Sequence, residues 1–272
     1  MEKFEYTEEN LRKLQIVEID MLKELDRICR KNNINYIIDA GTLLGAVRHQ
    51  GFIPWDDDID VRMLREDYDK FCNICSTDLG ENYFLQTHIT DPEYRWGYAR
   101  ILRKRTTYIR KGYGCIKSQT GIFIDIFPND ALPENPIKRR WSTVLSLLCR
   151  KILYSEVGMK NSKKFVHKFF FSILNLIPRK WAHTWRESMI YKNNRQETEK
   201  VRCYGWGSPE ETLGFRKEWF TQTKDIVFED LVVLAPENTH DFLVHSFGED
   251  YMTPPPIEER VPRHTAEYIG FL

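Results

Sequence analysis

Between Gly41 and Asp60 the chain places a glycine turn, a guanidinium and four carboxylates, in the order Gly-Thr-Leu-Leu-Gly-Ala-Val-Arg-His-Gln-Gly-Phe-Ile-Pro-Trp-Asp-Asp-Asp-Ile-Asp. The apolar Tyr36-Ile37-Ile38 before it predicts a short buried strand, and Thr42 to Val47 predict the first turns of a helix. Gly41 then stands at a strand-to-helix turn. It lets the backbone approach a ligand closely, and the free N–H groups at a helix start favour an anion such as phosphate. Arg48, one or two turns on, adds charge-assisted bonds, so Gly41, Thr42 and Arg48 suit a phosphate cradle. In an extended segment alternate residues share a face, which turns Asp58 and Asp60 toward one point while Ile59 turns inward. Two converging carboxylates repel each other unless a cation lies between them. Mg2+, or Mn2+ in its place, takes oxygen ligands of this kind together with substrate phosphates. Trp55 and Ile59 anchor the acidic run to a core, and Trp55 joins the substrate-binding set.

A third acid stands inside an apolar strand, Gly121-Ile122-Phe123-Ile124-Asp125-Ile126-Phe127-Pro128. A buried Asp125 is costly without a partner. Two partners are open to it: backbone N–H groups, or a metal shared with Asp58 and Asp60.

These three stretches resemble the LicD family of phosphocholine transferases, related to the fukutin-type ribitol-phosphate transferases. The tail continues the resemblance, through Phe247-Gly248-Glu249-Asp250-Tyr251-Met252, Pro254-Pro255-Pro256 and Arg263-His264. It spans most of the chain and is weakest between Pro136 and Arg202. It implies an α/β, nucleotidyltransferase-like mixed sheet flanked by helices. In that fold a glycine turn, an Asp-x-Asp pair and a third carboxylate, here Gly41, Asp58, Asp60 and Asp125, hold metal and nucleotide phosphates. Thr42 stands where the wider superfamily usually has Ser, which keeps the hydroxyl. The implied reaction moves phosphocholine from CDP-choline to a sugar hydroxyl of a cell-surface glycan or teichoic acid precursor and releases CMP. CDP-ribitol or CDP-glycerol phosphotransfer and plain nucleotidyl transfer are the enzymatic alternatives, and a lipid-docking glycan-binding protein is the non-enzymatic one.

The rest of the chain must position these groups. Thr7 to Cys29 predicts a helix with Thr7 as N-cap, whose stripe Leu11, Leu14, Val17, Met21, Leu22, Leu25 and Ile28 packs behind the sheet. A helix near Arg65 to Cys75 and strands near Tyr83 to His88 and Tyr98 to Leu102 extend the sheet. Six of the twelve residues from Arg100 to Lys111 are Lys or Arg. Arg103 and Lys104 among them are candidates for diphosphate recognition. The interleaved Trp96, Tyr98, Tyr108 and Tyr113 offer either faces for a quaternary ammonium group, worth ~0.5 to ~2 kcal/mol each, or ordinary packing on the sheet.

Residues 1–137 therefore read as a catalytic core, 138–202 as a basic helical insertion and 203–272 as a C-terminal segment completing the site. The insertion holds sixteen Lys and Arg against four Glu, a balance of +12, in a chain that is neutral overall. Two apolar series recur in it at helical spacing: Trp141, Val144, Leu145 and Leu148, then Phe165, Val166, Phe169, Phe170, Ile173, Leu174 and Ile177. They are either the buried faces of a cap or a face that lies on anionic lipid near a lipid-linked glycan acceptor. No nucleic-acid motif accompanies the charge. Lys224 to Val233 predicts a strand pair, and Pro254 to His264 a loop across the site, with His264 as a substrate-phosphate ligand or acid. The first residues lack a signal-peptide pattern and no stretch has the length of a membrane span, so a cytoplasmic protein, peripheral at the inner membrane face, is expected. Six irregularly spaced cysteines fit reduced thiols, and Cys72-x-x-Cys75 lies within a helical pattern that suits packing better than zinc.

Overall fold

The computed structural model describes residues 4–262 and 266–271. Helix α1 (Glu8–Lys31) begins where the Thr7 hydroxyl accepts the Asn10 N–H at 3.2 Å, with Glu8 and Glu9 in the favourable first turn. It buries Leu14, Met21, Leu22, Leu25 and Ile28 as expected. Val17 is only partly buried, and two polar residues, Gln15 and Glu18, take interior positions on that helix. Strand β1 (Ile37–Ile38) then leads into α2 (Ala40–His49), with Ala40 at the junction in the left-handed region, φ 47°.

The chain continues through β2 (Asp60–Leu64), α3 (Arg65–Asp78), β3 (Tyr83–Gln86), β4 (Ala99–Arg103), β5 (Thr107–Arg110) and β6 (Phe123–Ala131). Among the described residues one mixed sheet has the order β1-β2-β6-β4-β3. Its β2–β6 pair is parallel and its other pairs are antiparallel. All nine residues of β6 are buried, as in a central strand covered on both faces. Helices α1 and α3 pack against it.

The insertion forms α4 (Pro136–Asn161), α5 (Phe165–Leu174) and α6 (Arg179–Asn193), which enclose a small core of Cys149, Ile152, Leu153, Phe171, Leu174 and Ala182. Both sequence stripes point largely outward: Trp141, Val144, Leu148, Phe165, Val166, Phe169, Phe170 and Ile173 are exposed. The inward positions of α4 include Ser142, Ser146 and Ser155, whose small side chains permit close helix packing. Strand β7 (Lys200–Arg202) returns to pair with the end of β6, and α7 (Pro209–Leu213), β8 (Phe215–Arg216) and α8 (Glu218–Thr221) follow. The expected strand pair is an antiparallel hairpin, β9 (Thr223–Phe228) with β10 (Leu231–Pro236). After α9 (Thr239–Phe247), the last strand, β11 (Ala266–Gly270), pairs with β5.

Candidate active site

The start of α2, the acidic loop, the Trp206–Ser208 turn and the residues after α9 surround a cleft of about 640 Å³. Asp56, Asp58 and Asp60 line it together with Gly41, Arg48 and Trp55. A Cβ at Gly41 would strike the Asp56 carboxylate, so the glycine lets that side chain lie against the start of α2. The Thr42 hydroxyl is buried and accepts the Asp60 N–H at 3.0 Å, so it fixes the acidic strand, and Thr42 does not line the cleft. Gln15 of α1 donates to the Asp56 carbonyl at 3.0 Å, and the Tyr6 hydroxyl donates to Asp57 at 3.0 Å. Helix α1 thus holds the acidic loop as well as backing the sheet.

One oxygen each from Asp56, Asp57 and Asp58 lies within 4.8 Å of the others. Burial and the neighbouring Asp58, Asp125, Asp39 and Asp56 push the Asp60 carboxyl well above the ordinary carboxylate range. Glu18, buried beneath the loop, is raised by burial and by Asp58, Asp57, Asp56 and Asp60. An all-oxygen set of carboxylates this close together fits a hard divalent cation.

Arg62 organises the cleft floor. It binds Asp39 before α2, donates to Asn129 at 3.1 Å and lies 2.7 Å from Glu211 of α7. Its guanidinium also sits 4.4 Å from the Phe215 ring centroid. Burial opposes its charge, but Asp39 and Glu211 hold its pKa above the ordinary value. The C-terminal segment, the sheet and the glycine turn are tied together by this one side chain. At the mouth, Arg48 donates to the Tyr251 carbonyl at 3.1 Å, and Arg260 lies over Trp55 at 5.3 Å.

A family profile described as "LicD/FKTN/FKRP, nucleotidyltransferase domain" matches residues 33–146. The lipopolysaccharide cholinephosphotransferase LicD of Haemophilus influenzae is 30% identical over 270 residues, covering 94% of this chain and 97% of that protein. The chain belongs to the LicD family. Uncharacterized proteins of Rickettsia prowazekii and Rickettsia typhi are 55% identical over 47 residues, 17% of this chain and 18% and 15% of theirs.

The structure does not bring every expected residue of this LicD-family chain into the cleft. Asp125 lies beside Asp60 in the parallel register, yet its carboxylate is held by Arg100 at 2.5 and 3.2 Å and does not line the cleft. Its partner is therefore a guanidinium, which neither sequence alternative named. Arg103 and Lys104 also lie outside the cleft lining. Arg103 covers the Tyr83 ring at 5.1 Å and the Lys104 Nζ donates to the Glu81 carbonyl at 2.9 Å. The four-aromatic cage does not form either. Tyr98 and Tyr108 are buried, and the Arg100 guanidinium lies 4.6 Å from Trp96 and 5.8 Å from Tyr98. Trp96 in turn stacks on Tyr113. His264 lies outside the described residues.

Asp39, Arg62, Glu211, Glu18 and Arg260 went unpredicted. Two carried a readable signal. Arg62 shares a strand face with Asp60, and Glu18 sits at helical spacing within the stripe Leu14, Leu22 and Leu25. Glu211 and Arg260 reach the site only through tertiary folding.

Proposed function

We propose that this protein transfers phosphocholine from CDP-choline to a sugar hydroxyl of a cell-surface glycan. The observation that carries the reading is the carboxylate cleft built on the glycine turn, in a chain aligned with a lipopolysaccharide cholinephosphotransferase over nearly its whole length. We read the sheet as nucleotidyltransferase-like, with Asp58 and Asp60 on the loop and strand that follow the turn and Asp56 beside them. These three would hold Mg2+ or Mn2+, which when bound neutralises the diphosphate and stabilises departing CMP. Arg48 and Arg260 at the mouth supply charge to the same diphosphate. The sugar oxygen attacks the phosphorus that bears choline, the bond to CMP breaks, and the hydroxyl proton passes to a cleft carboxylate. Asp125, neutralised by Arg100, is a positioning residue for Asp60. The trimethylammonium group packs against cleft aromatics, Trp55, Trp206, Phe247 and Tyr251, which replace the cage expected from the sequence.

Thermal unfolding in Mg2+ tests the donor, because a ligand that binds only the folded state adds RT ln(1 + [L]/Kd) to its stability. CDP-choline should stabilise more than CMP, CDP-glycerol or CDP-ribitol at equal concentration. A larger effect of CDP-ribitol would assign the protein to polyol-phosphate transfer. Label from the choline methyl groups should enter the acceptor and cytidine label should leave as CMP; cytidine label in the acceptor would establish nucleotidyl transfer instead.

Helix α5 supports a peripheral membrane location near a lipid-linked acceptor. Phe165 is 81% exposed and Phe169 59%, and Lys163, Lys164 and Lys168 alternate with them. Aromatic side chains and lysines together suit an anionic bilayer surface. Among the described residues no helix is long and apolar enough to cross a membrane. Sedimentation with anionic vesicles should deplete the protein from the supernatant at low salt and not at high salt. Equal recovery with neutral and anionic vesicles would reduce the insertion to a structural cap.

A further inference from the structure

A second cavity, of about 320 Å³, lies where α4 meets the core, within the ~300–1,000 Å³ usual for small-molecule sites. Trp206 lines both this cavity and the carboxylate cleft. One indole therefore borders the two spaces. Two glycine backbones cross at the wall: a Cβ on Gly205 would lie 2.7 Å from the Gly97 carbonyl, and one on Gly97 would lie 2.6 Å from the Gly205 Cα. Only residues without side chains permit that approach, which brings the turn carrying Trp206 against the strand that leads to Arg100.

The cavity walls are aromatic and cationic. Trp96 stacks on Tyr113 at 5.7 Å, and Tyr154 lies 6.3 Å from Tyr113. Arg95, Arg150 and Lys151 also line the space, and no acidic side chain does. Arg95 is answered by Glu156 at 2.5 Å. Arg150 is different. Its guanidinium rests against the Gly207 backbone, its Nε is buried without a hydrogen-bond partner, and no ion pair to it occurs among the described residues. Burial and the nearby Arg202 work against its charge more than Cys203 and Glu211 favour it, and hold its pKa below the ordinary value. A positive wall repels trimethylammonium, so this space is not the choline site. Aromatic rings beside a guanidinium that makes no ion pair instead match a sugar, whose C–H face packs on the rings, carrying an anionic group.

We infer that this cavity is the acceptor subsite, taking a sugar that bears a phosphate or carboxylate held by Arg150 and presenting its hydroxyl past Trp206 to the carboxylate cleft. The inference rests on the transferase reading above and names the acceptor class for it.

Calorimetric titration of the full chain with Mg2+ tests it, using glucose 6-phosphate, glucuronate, glucose and inorganic phosphate as probes. At least one charged sugar should bind more tightly than glucose and inorganic phosphate, and the better of the two identifies the anionic group. Arg150→Gln and Tyr154→Ala should each weaken that binding about tenfold or more while leaving the CDP-choline Kd unchanged. Unchanged charged-sugar binding in both variants would overturn the assignment. So would inorganic phosphate binding as tightly as glucose 6-phosphate, which would mark an adventitious ion only, or competition of the sugar with CDP-choline, which would place it in the cleft. Loss of CDP-choline binding or turnover in the parent protein would instead defeat the transferase reading and leave the sugar titrations interpretable by themselves. As a second arm, Leu147→Trp should fill the cavity, raise the acceptor KM and spare the slow hydrolysis of CDP-choline by water.

Discussion

The carboxylate cleft and the cavity beside the insertion carry opposite charge deficits and are built differently. In the cleft, acids contributed by a turn, a loop and a strand converge, and Arg62 and Arg100 offset only some of them: Asp39, Glu211 and Asp125 are paired, whereas Asp60 and Glu18 remain under repulsion. At the insertion, a cation from a long helix projects into an aromatic space that no acidic side chain lines among the described residues. A buried charge with a partner is structural, because losing the partner strands the charge. A buried charge with no partner costs the fold its desolvation and gains a partner only when a ligand supplies one. On the proposed function, the two regions separate residues that hold the molecule together from residues that would meet substrate.

The strongest way to break this comparison is to remove one arginine from each side. Arg62→Met should cost about 3–5 kcal/mol in urea unfolding, because Asp39 and Glu211 are left buried and unpaired. Arg150→Met should cost no stability and should leave it equal to or above the parent's, because it removes a buried polar group that has no partner. Similar losses from both would mean that Arg150 is structural.

Removing an acid that lines the cleft should separate activity from stability. Asp60→Asn or Asp58→Asn should lower Mg2+-dependent transfer on the order of 100-fold or more, as expected when several kcal/mol of metal-derived stabilisation disappears at ~1.4 kcal/mol per tenfold. In chelator, the Asp60→Asn midpoint should equal or exceed the parent's. Transfer at the parental rate would remove both residues from the metal site.

The two regions should also respond to pH with opposite signs. Between its ordinary value of 3.8 and its raised native value, Asp60 keeps a proton in the folded state that the unfolded chain has released, so this stability is lost as pH rises. His183, on α6, is lowered from 6.5 to about 3 by burial and by Arg186 and His88. The unfolded chain then binds the extra proton, and stability is lost as pH falls from about 6.5 toward 3. A urea series across this range, in chelator, should show Asp60→Asn flattening the loss on the alkaline side and His183→Gln the loss on the acid side. Swapped or absent changes would refute the assignment of these groups.

The smallest expected change is at the surface of the insertion. Phe169→Ser should move the unfolding midpoint by no more than about 0.5 kcal/mol, because the ring is 59% exposed. It should nevertheless reduce anionic-vesicle binding. A large stability loss would show that α5 is buried in an interface.

Particular elements show where the sequence was readable. The α1 stripe, the hairpin at β9 and β10 and the turn at Gly41 follow from local periodicity and turn chemistry, which neighbouring residues carry by themselves. The apolar series of α4 and α5 were readable as helical but not as exposed, since periodicity reports which residues share a face and not whether that face meets protein or solvent. Asp125 was recognisable as an acid in need of a partner. Arg100 could not be selected from a run of six bases until the β4–β6 register set it opposite.

The sequence by itself determined the family, the acidic loop and the closeness of Asp58 and Asp60 in the chain, because these depend on residue types at short spacing. Only the tertiary structure decided which charges are already paired. Arg62 joins residues 39, 129 and 211, and Arg100 reaches Asp125 across two strands, while the buried Arg150 Nε has no hydrogen-bond partner among the described residues. Coulomb attraction and desolvation act through space over a few ångströms, so residues more than a hundred positions apart in the chain set one another's charge state once folding brings them into contact.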